Sequence, residues 1–329
     1  MKKLYEQRPA PFAAVSTPEA AAQTAAAVRA EAARLLCKDN IPCAAEEIKA
    51  EKIKTAVRKG YTVETLKVKI LEGYSMLCYV LLPAHQTKKD AVVCLCGHGY
   101  GARQIIRQSK RGRYRTINFW DNYQKNFAEA LALDGHIVIC PEFFGFGESR
   151  LMCDIHKPFY ISSCDTLSHH TLLSGVSVAA IRVYQAMKCA DILQKEYGCS
   201  ELGCMGISGG GLAALYTACL DERMAKVCVC GYINSFEKSV LGRWHCPDNY
   251  VPGLLTVGEM CDFASALVPR KLMMQFGTKD KLFPVEASRE AAENIKKVYE
   301  ICGVPERFYP TEFAGKHEVC LPPAIAFFD

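Results

Sequence analysis

The sequence predicts an α/β fold with a mostly parallel central sheet and helices on both of its faces. Short, almost fully apolar runs alternate with helical patterns over most of the chain, and one run ends at a serine among glycines that leads directly into a helical pattern. Strands buried on both faces have continuous apolar sequences, and their parallel pairing needs long crossover connections, commonly helices. Half of the 329 residues are apolar, which is enough for a sizeable core.

The N-terminal region is expected to be helical. Residues 16–19, with the sequence STPE, supply a capping residue, a proline and an acid, and an alanine-rich stretch then runs to Leu36, as is typical of a helix. A second helix is expected over residues 44–58. We therefore divide the chain into an N-terminal helical extension, residues 1–60, and an α/β domain, residues 61–329.

Strands and helices are expected to alternate through the rest of the chain. The expected strands lie at 65–71, 77–82, 91–96 and 136–140, at the runs that end at Met205 and Cys230, and at 271–276 and 306–311. The expected helices lie near 121–133 and 175–197, after Gly209, and at 285–301. No internal repeat and no linker rich in proline, glycine or serine divides them, so one α/β domain is expected.

Composition argues against several functional classes. A net charge of +5 is too small to indicate nucleic-acid binding. No apolar run is long enough to span a bilayer and the start lacks a signal-peptide core, so we expect a cytoplasmic protein without membrane contact. Many of the eighteen cysteines lie inside apolar runs and are interpreted as small core residues. The pairs Cys94/Cys96 and Cys228/Cys230 lack a second pair at zinc spacing, so we expect no metal and no cofactor.

Ser208 lies in the sequence pattern of a nucleophile elbow. The pattern G-x-S-x-G spans residues 206–210, and its glycines let the flanking strand and helix pass closely. A helix that begins near Gly209 directs free amides and its positive dipole end at the serine. The sequence therefore favours acyl transfer to Ser208.

The same glycines allow a second interpretation. Residues 209–214 fit the dinucleotide-binding pattern G-x-G-x-x-A. That loop needs an acidic residue at the end of the next strand, whereas the next apolar run ends in Gly231–Asn234 without a carboxylate. An oxidoreductase is therefore the weaker hypothesis.

Two polar residues follow later strands, at the edge of the sheet where ligands bind in such folds. Asp280 follows the expected strand at 271–276, and His317 follows the last strand. Along the chain, Ser208, Asp280 and His317 have the order of an α/β-hydrolase triad, in which the histidine takes the serine proton and the aspartate orients the imidazole. The alternative acids are Asp248, Asp262 and Glu318.

The tetrahedral intermediate of such a reaction needs an oxyanion hole formed by two backbone amides. Gly209, directly after the serine, supplies the first amide. We expect the second at Tyr100, in the glycine-rich segment 97–101 that follows an early strand. His98 is interpreted as a residue that braces this loop, because His317 already fills the role of base.

A basic segment follows the same loop. Six Lys and Arg residues and no acid lie between positions 103 and 115. One hypothesis is that Arg111 and Arg113 contact an anionic substrate, and the alternative is a solvated loop.

From about Leu77 onward the sequence resembles the α/β-hydrolase superfamily, in the branch of acetyl xylan esterases and dienelactone hydrolases. Besides the triad, the resemblance is carried by residues 141–149 (PEFFGFGES), 206–211 (GISGGG), 245–253 (HCPDNYVPG) and 269–270 (PR). It implies the α/β-hydrolase fold, with residues 61–329 as catalytic domain. A dienelactone hydrolase has a cysteine where this chain has Ser208, and the R-G-Q element of one acetyl-esterase group is absent.

The resemblance implies a cofactor-independent serine hydrolase that cleaves carboxylic esters of small or carbohydrate-linked alcohols through an acyl-enzyme. The substrate would be a small-molecule or carbohydrate ester, and a homo-oligomer is compatible with these features. A thioesterase or peptidase of the same fold, and a non-catalytic binding protein on this scaffold, are the alternatives.

Overall fold

The centre of the protein is a sheet of nine strands in the order β1-β2-β3-β5-β4-β6-β7-β8-β9. The computed structural model describes residues 5–88, 90–107 and 122–329. The strands are β1 (Ala44–Arg58), β2 (Tyr61–Leu71), β3 (Tyr74–Pro83), β4 (Asp90–Leu95), β5 (Ile137–Pro141), β6 (Glu201–Ile207), β7 (Met224–Cys230), β8 (Lys271–Gly277) and β9 (Phe308–Phe313).

Helices connect and cover these strands. They are α1 (Pro18–Leu36), α2 (Ala102–Ile105), α3 (Phe127–Leu133), α4 (Cys164–Leu173), α5 (Val178–Tyr197), α6 (Gly209–Leu220), α7 (Met260–Ser265), α8 (Val285–Ile301) and α9 (Leu321–Phe328). No helix within the described ranges has both the length and the apolar character that a bilayer crossing requires.

The sheet is antiparallel at its N-terminal side and parallel elsewhere. β1, β2, β3 and β5 pair antiparallel, whereas β5, β4, β6, β7, β8 and β9 pair parallel. Nearly every residue of β4, β6 and β8 is buried at both odd and even positions, so helices cover both faces there. The predicted α/β-hydrolase fold, with a mostly parallel sheet between helices, is confirmed.

Helix α1 forms as the sequence predicts. The Thr17 hydroxyl accepts a hydrogen bond from the Ala20 amide at 3.2 Å, and Pro18 occupies the first turn, where its missing amide hydrogen costs nothing. Its buried residues recur at helical spacing and form one apolar face, namely Ala21, Ala25, Val28, Ala32 and Leu36.

The helix predicted for residues 44–58 is wrong, because this segment forms the edge strand β1. Its alanine, glutamate and lysine residues favour a helix in isolation. Pairing with β2 from Lys49 to Arg58 instead provides hydrogen bonds for the backbone groups on one side of the strand. Charged residues along an open edge also discourage pairing with another molecule. The boundary predicted after residue 60 falls in the turn between β1 and β2.

Candidate active site

Ser208 occupies a strained corner between β6 and α6. Its backbone angles are φ 58° and ψ −123°, a conformation rare for a residue with a side chain and frequent at functional sites. A methyl group on Gly206 would overlap the carbonyl of Gly210, and one on Gly210 would overlap the carbonyl of Leu95. The strand-to-helix corner expected from the sequence is therefore present, and only glycine fits at positions 206 and 210.

A histidine and an aspartate form a direct pair at the same edge of the sheet. His317 Nδ1 lies 2.8 Å from Asp280 Oδ2, and Asp280 Oδ1 accepts hydrogen bonds from the amides of Leu282 at 2.8 Å and Phe283 at 3.0 Å. The carboxylate is thus fixed by the loop that follows β8. His317 Nε2 is buried and has no hydrogen-bond partner among the described residues, so this nitrogen is available to a hydroxyl group.

The turn after β7 places this pair beside the serine corner. The Ser208 amide donates to Cys230 O at 3.0 Å. A Cβ on the next residue, Gly231, would lie 3.1 Å from His317 Nδ1 and 3.7 Å from Asp280 Oδ2. Ser208 and the pair therefore contact adjacent residues of one short turn, and the structure brings all three predicted triad residues to one edge of the sheet.

Two aromatic rings hold the imidazole of His317. Tyr123 and Phe283 stack on it, with ring centroids 5.7 and 5.5 Å away and interplanar angles of 21° and 16°. The Tyr123 hydroxyl also donates to His98 O at 2.6 Å and so connects the histidine to the glycine-rich loop. Our sequence reasoning missed both rings, although Phe283 follows Asp280 by three residues and its position there was a usable signal.

The alternative acids have other partners. Asp248 contacts His98 at 3.0 Å, Asp262 accepts the Glu259 amide at 2.8 Å as part of a capping box, and Glu318 pairs with Lys125 at 2.6 Å. Among these four carboxylates, the one that forms a hydrogen bond with His317 is Asp280. Asp280 is therefore the acid that orients this imidazole.

The two amides predicted to form the oxyanion hole differ in their hydrogen bonding. Gly209 is the first residue of α6, where backbone amides lack partners within the helix. The Tyr100 amide instead donates to Gln104 Oε1 at 3.1 Å, so its predicted role requires Gln104 to release it. The start of the loop approaches the serine more closely, since a Cβ on Gly97 would lie 3.3 Å from Ser208 Cβ.

A second histidine–aspartate pair lies on the other side of Gly209. His98 Nε2 is 3.0 Å from Asp248 Oδ2, and Arg182 Nη1 donates to the same oxygen. Burial by itself lowers the pKa of His98, but the Asp248 carboxylate outweighs burial and raises the pKa to about 10. A protonated imidazole cannot accept the serine proton, so His98 does not compete with His317 for the role of base.

Two cysteines complete this second cluster. Cys164 Sγ lies 3.3 Å from Asp248 Oδ2 and accepts a hydrogen bond from Arg182 Nη2 at 3.0 Å. Burial raises the pKa of the Cys164 thiol, but a hydrogen bond with Cys246 and the Arg182 charge lower it to about 5. The Cys164 thiol is therefore buried, 1% exposed, and more acidic than an ordinary cysteine.

The predicted contacts of Arg111 and Arg113 with an anionic substrate lie outside the described residues. The start of the basic segment is described, and there the buried Arg103 forms an ion pair with Glu148 at 2.8 Å. That arginine thus belongs to the interior rather than to a solvated loop.

The structure has the α/β-hydrolase fold, with a strained serine between strand and helix and an oriented histidine after the last strand. No protein-family profile matches the chain. It is 25% identical over 278 residues to Putative hydrolase YtaP of Bacillus subtilis strain 168, across 82% of this chain and 87% of that protein.

Two solved structures are similar in fold. A putative acetyl xylan esterase from Bacteroides fragilis superposes with a TM-score of 0.81 at 17% identity, over 95% of this chain and 80% of that one. A glucuronoyl esterase from Solibacter usitatus superposes with a TM-score of 0.66 at 14% identity, over 91% of both chains. These likenesses support the predicted α/β-hydrolase fold.

Proposed function

We propose that the protein is a serine hydrolase that cleaves carboxylic esters through an acyl-enzyme, with Ser208, His317 and Asp280 as its catalytic triad. The observation that carries the proposal is the buried, unpartnered Nε2 of His317 among the described residues, on a ring that Asp280 orients beside the Ser208 corner. A buried polar atom without a partner is costly, and a catalytic contact with substrate or nucleophile explains it.

The reaction follows from these positions. His317 Nε2 takes the proton of Ser208 Oγ as the oxygen attacks the ester carbonyl, and the Gly209 amide stabilises the oxyanion. The tetrahedral intermediate collapses, the C–O bond to the alcohol breaks, and His317 returns the proton to the leaving alkoxide. A water molecule then repeats the attack on the acyl-enzyme, so that acid and free Ser208 are released.

The substrate class of the proposal is a short acyl ester, with carbohydrate esters as the first group to test. The similar proteins named above are described as a hydrolase, an acetyl xylan esterase and a glucuronoyl esterase, which supports ester rather than amide substrates. Recognition of an anionic substrate by Arg111 and Arg113, assembly into a homo-oligomer and location in the cytoplasm remain predictions from the sequence.

Covalent labelling with a fluorophosphonate tests the proposed nucleophile. We expect labelling at Ser208, measured by peptide mass spectrometry, and hydrolysis of p-nitrophenyl acetate that falls by about 10⁴-fold or more in Ser208→Ala. Ser200→Ala, at an exposed serine on the same protein, is the matched control. Unchanged ester hydrolysis by Ser208→Ala would reject the triad.

A substrate panel separates the alternatives. The values of kcat/KM for acetylated sugars, acyl thioesters and peptide anilides are compared in the wild-type protein. A preference for thioesters or anilides would reassign the enzyme within the fold. Absence of labelling at Ser208, together with no turnover of any of the three, would favour a binding protein instead.

A further inference from the structure

Four side chains that commonly bind metal ions converge behind the loop 97–101. His98 comes from that loop, Cys164 begins α4, and Cys246 and Asp248 lie in the segment after β7. One ligand atom of each residue lies within 4.8 Å of the others. We propose that these four residues bind a Zn²⁺ ion. The proposal is independent of the hydrolase function, because it concerns a different set of side chains.

The distances among three of the four ligand atoms suit tetrahedral coordination. Zinc bonds of about 2.0–2.3 Å place ligand atoms about 3.3–3.8 Å apart at the corners of a tetrahedron. His98 Nε2 and Asp248 Oδ2 are 3.0 Å apart, Cys164 Sγ and Asp248 Oδ2 3.3 Å, and Cys164 Sγ and His98 Nε2 4.0 Å. Shifts of a few tenths of an ångström in side-chain position therefore give the three ligands their coordinating separations.

The chemistry of the donors favours zinc over harder cations. One imidazole nitrogen, two thiolate sulfurs and one carboxylate oxygen form a set typical of Zn²⁺, whereas Mg²⁺ and Ca²⁺ prefer oxygen ligands throughout. Cys164 and Asp248 are buried, while His98 and Cys246 are partly exposed.

Arg182 is the obvious objection to a cation site, since its guanidinium contacts Asp248 and Cys164. It is also fixed from outside the cluster, because Nε and Nη2 donate to Phe144 O at 3.1 and 2.9 Å. Donors that hydrogen-bond to ligating carboxylates and thiolates are common around metal sites, and they orient the ligands. Arg182 can therefore stay in place when the ion binds.

Proton release offsets part of the charge of the entering ion. Zinc binds thiolate sulfurs and an unprotonated imidazole nitrogen, so any proton on Cys164, on Cys246 or on the coordinating nitrogen of His98 is released as the ion enters. The added positive charge beside Arg182 is therefore smaller than the full charge of the ion.

Another candidate cluster does not compete. Asp134, His136 and Asp329 also converge, but Lys88 lies 2.5 Å from Asp329 and 3.9 Å from Asp134, so an ammonium already balances both carboxylates. That cluster contains no sulfur ligand, and we use it as an internal control.

The ion would connect the loop to the rest of the molecule. A Cβ on Gly209 would lie 3.1 Å from His98 Nδ1, and the His98 carbonyl accepts the Tyr123 hydroxyl. A metal bond to His98 Nε2 thus fixes the residue that packs against the start of α6. We expect bound zinc to raise the thermal stability of the protein and to reduce movement of the loop.

Cobalt substitution is the first test, and it uses the unmodified protein. Chelator-treated protein is titrated with Co²⁺, and we expect one equivalent to produce cysteine-to-cobalt charge-transfer absorption, which Zn²⁺ then abolishes. Zn²⁺ should also protect Cys164 and Cys246, but not the exposed Cys153, from alkylation. Absence of the absorption band, or alkylation that Zn²⁺ does not slow, would refute the site without any variant.

Variants then assign the ligands. Zinc affinity, measured by competition with a chromophoric chelator, should fall more than about 100-fold in Cys246→Ser, above the 10–100-fold loss typical of a residue outside the coordination sphere. Cys302→Ser and Asp329→Asn serve as controls and should bind zinc like the wild type. Equal affinity of the Cys164→Ser/Cys246→Ser double variant, or loss in Asp329→Asn alone, would overturn the assignment. So would a Cys164–Cys246 disulfide in the zinc-loaded protein.

Discussion

Two histidine–aspartate pairs lie near the start of α6, and their surroundings give them different chemistry. The His317–Asp280 pair has two backbone amides on its carboxylate, two aromatic rings on its imidazole and a buried nitrogen without a partner among the described residues. The His98–Asp248 pair has the Arg182 guanidinium and the Cys164 thiol against its carboxylate.

The difference shows that a contact between histidine and aspartate does not define a catalytic base. Apolar rings and amide donors orient His317 without adding charge, whereas the Asp248 cluster keeps His98 protonated. The first pair can move a proton, and the second can hold a loop or an ion. Each prediction below changes one member of this comparison.

Replacing the acid of the first pair has the largest expected effect. Asp280→Asn should lower kcat by about 10⁴-fold, because the amide favours the wrong imidazole tautomer and cannot stabilise the imidazolium. Rates of p-nitrophenyl acetate hydrolysis measure the effect. His98→Gln is the matched change in the second pair, and we expect it to cost at most about 30-fold. A larger loss for His98→Gln than for Asp280→Asn would reverse the two roles.

Replacing the acid of the second pair should cost mainly stability. Asp248→Asn leaves the buried Arg182 without its anionic partner, and loss of one member of a buried ion pair costs about 3–5 kcal/mol. Urea denaturation of chelator-treated protein measures the free energy of unfolding. Glu312→Gln, which removes an exposed partner of Arg289, is the control and should cost at most about 1 kcal/mol. Similar values for both variants would contradict the buried ion pair.

A third buried carboxyl group, that of Glu142, extends the comparison, because few hydrogen bonds and charges stabilise its ionised form. Burial, and then the charge of Glu148, raise the pKa of Glu142 well above its usual value, and only the Ala102 amide donates to it among the described residues. The folded protein thus keeps a proton that the unfolded chain loses above pH 4.5. Stability from this group is therefore fully present below pH 4.5 and is lost as pH rises above that value towards the raised pKa of the folded protein.

The variant Glu142→Gln should remove that loss. The free energy of unfolding of the wild type, relative to that of the variant, should fall by up to about 1.4 kcal/mol per pH unit between pH 5 and 8. Urea midpoints across this range measure it, and the exposed Glu72→Gln should leave the slope unchanged. Parallel curves for wild type and Glu142→Gln would show that Glu142 is ionised in the folded protein.

The connection between the two pairs should have the smallest effect. Tyr123→Phe keeps the ring on His317 but removes the hydrogen bond to His98 O, so we expect kcat to fall by about 3–10-fold, the equivalent of one hydrogen bond. Tyr309→Phe, outside the site, is the control. A loss above about 100-fold would mean that the hydroxyl contacts the reacting groups directly.

Much of the first pair could be predicted from the sequence, and almost none of the second. Ser208, Asp280 and His317 each follow a recognisable apolar strand, and parallel strands bring their carboxyl ends to one edge. Arg182 lies in the middle of α5 without a distinguishing pattern, and Cys164 begins a helix that the sequence did not indicate. Their approach to Asp248 depends on tertiary packing, so no spacing along the chain could reveal it.

The N-terminal region shows where prediction from local sequence succeeds and where it fails. The cap and the proline of α1 act within one turn, so local sequence predicts that helix correctly. The β1 segment is composed of helix-favouring residues, and its strand forms only because β2 offers a long pairing partner. Local propensity failed where the partner lay outside the segment.

The edge strand β1 limits how far the chain can be shortened from its N-terminal side. Removing residues 1–60 would take the charged strand β1 from the edge of the sheet and uncover β2, most of whose residues are buried in the intact protein. An apolar strand with unsatisfied backbone groups recruits other chains. Inclusion bodies, rather than a minimal hydrolase, are the foreseeable product of that truncation.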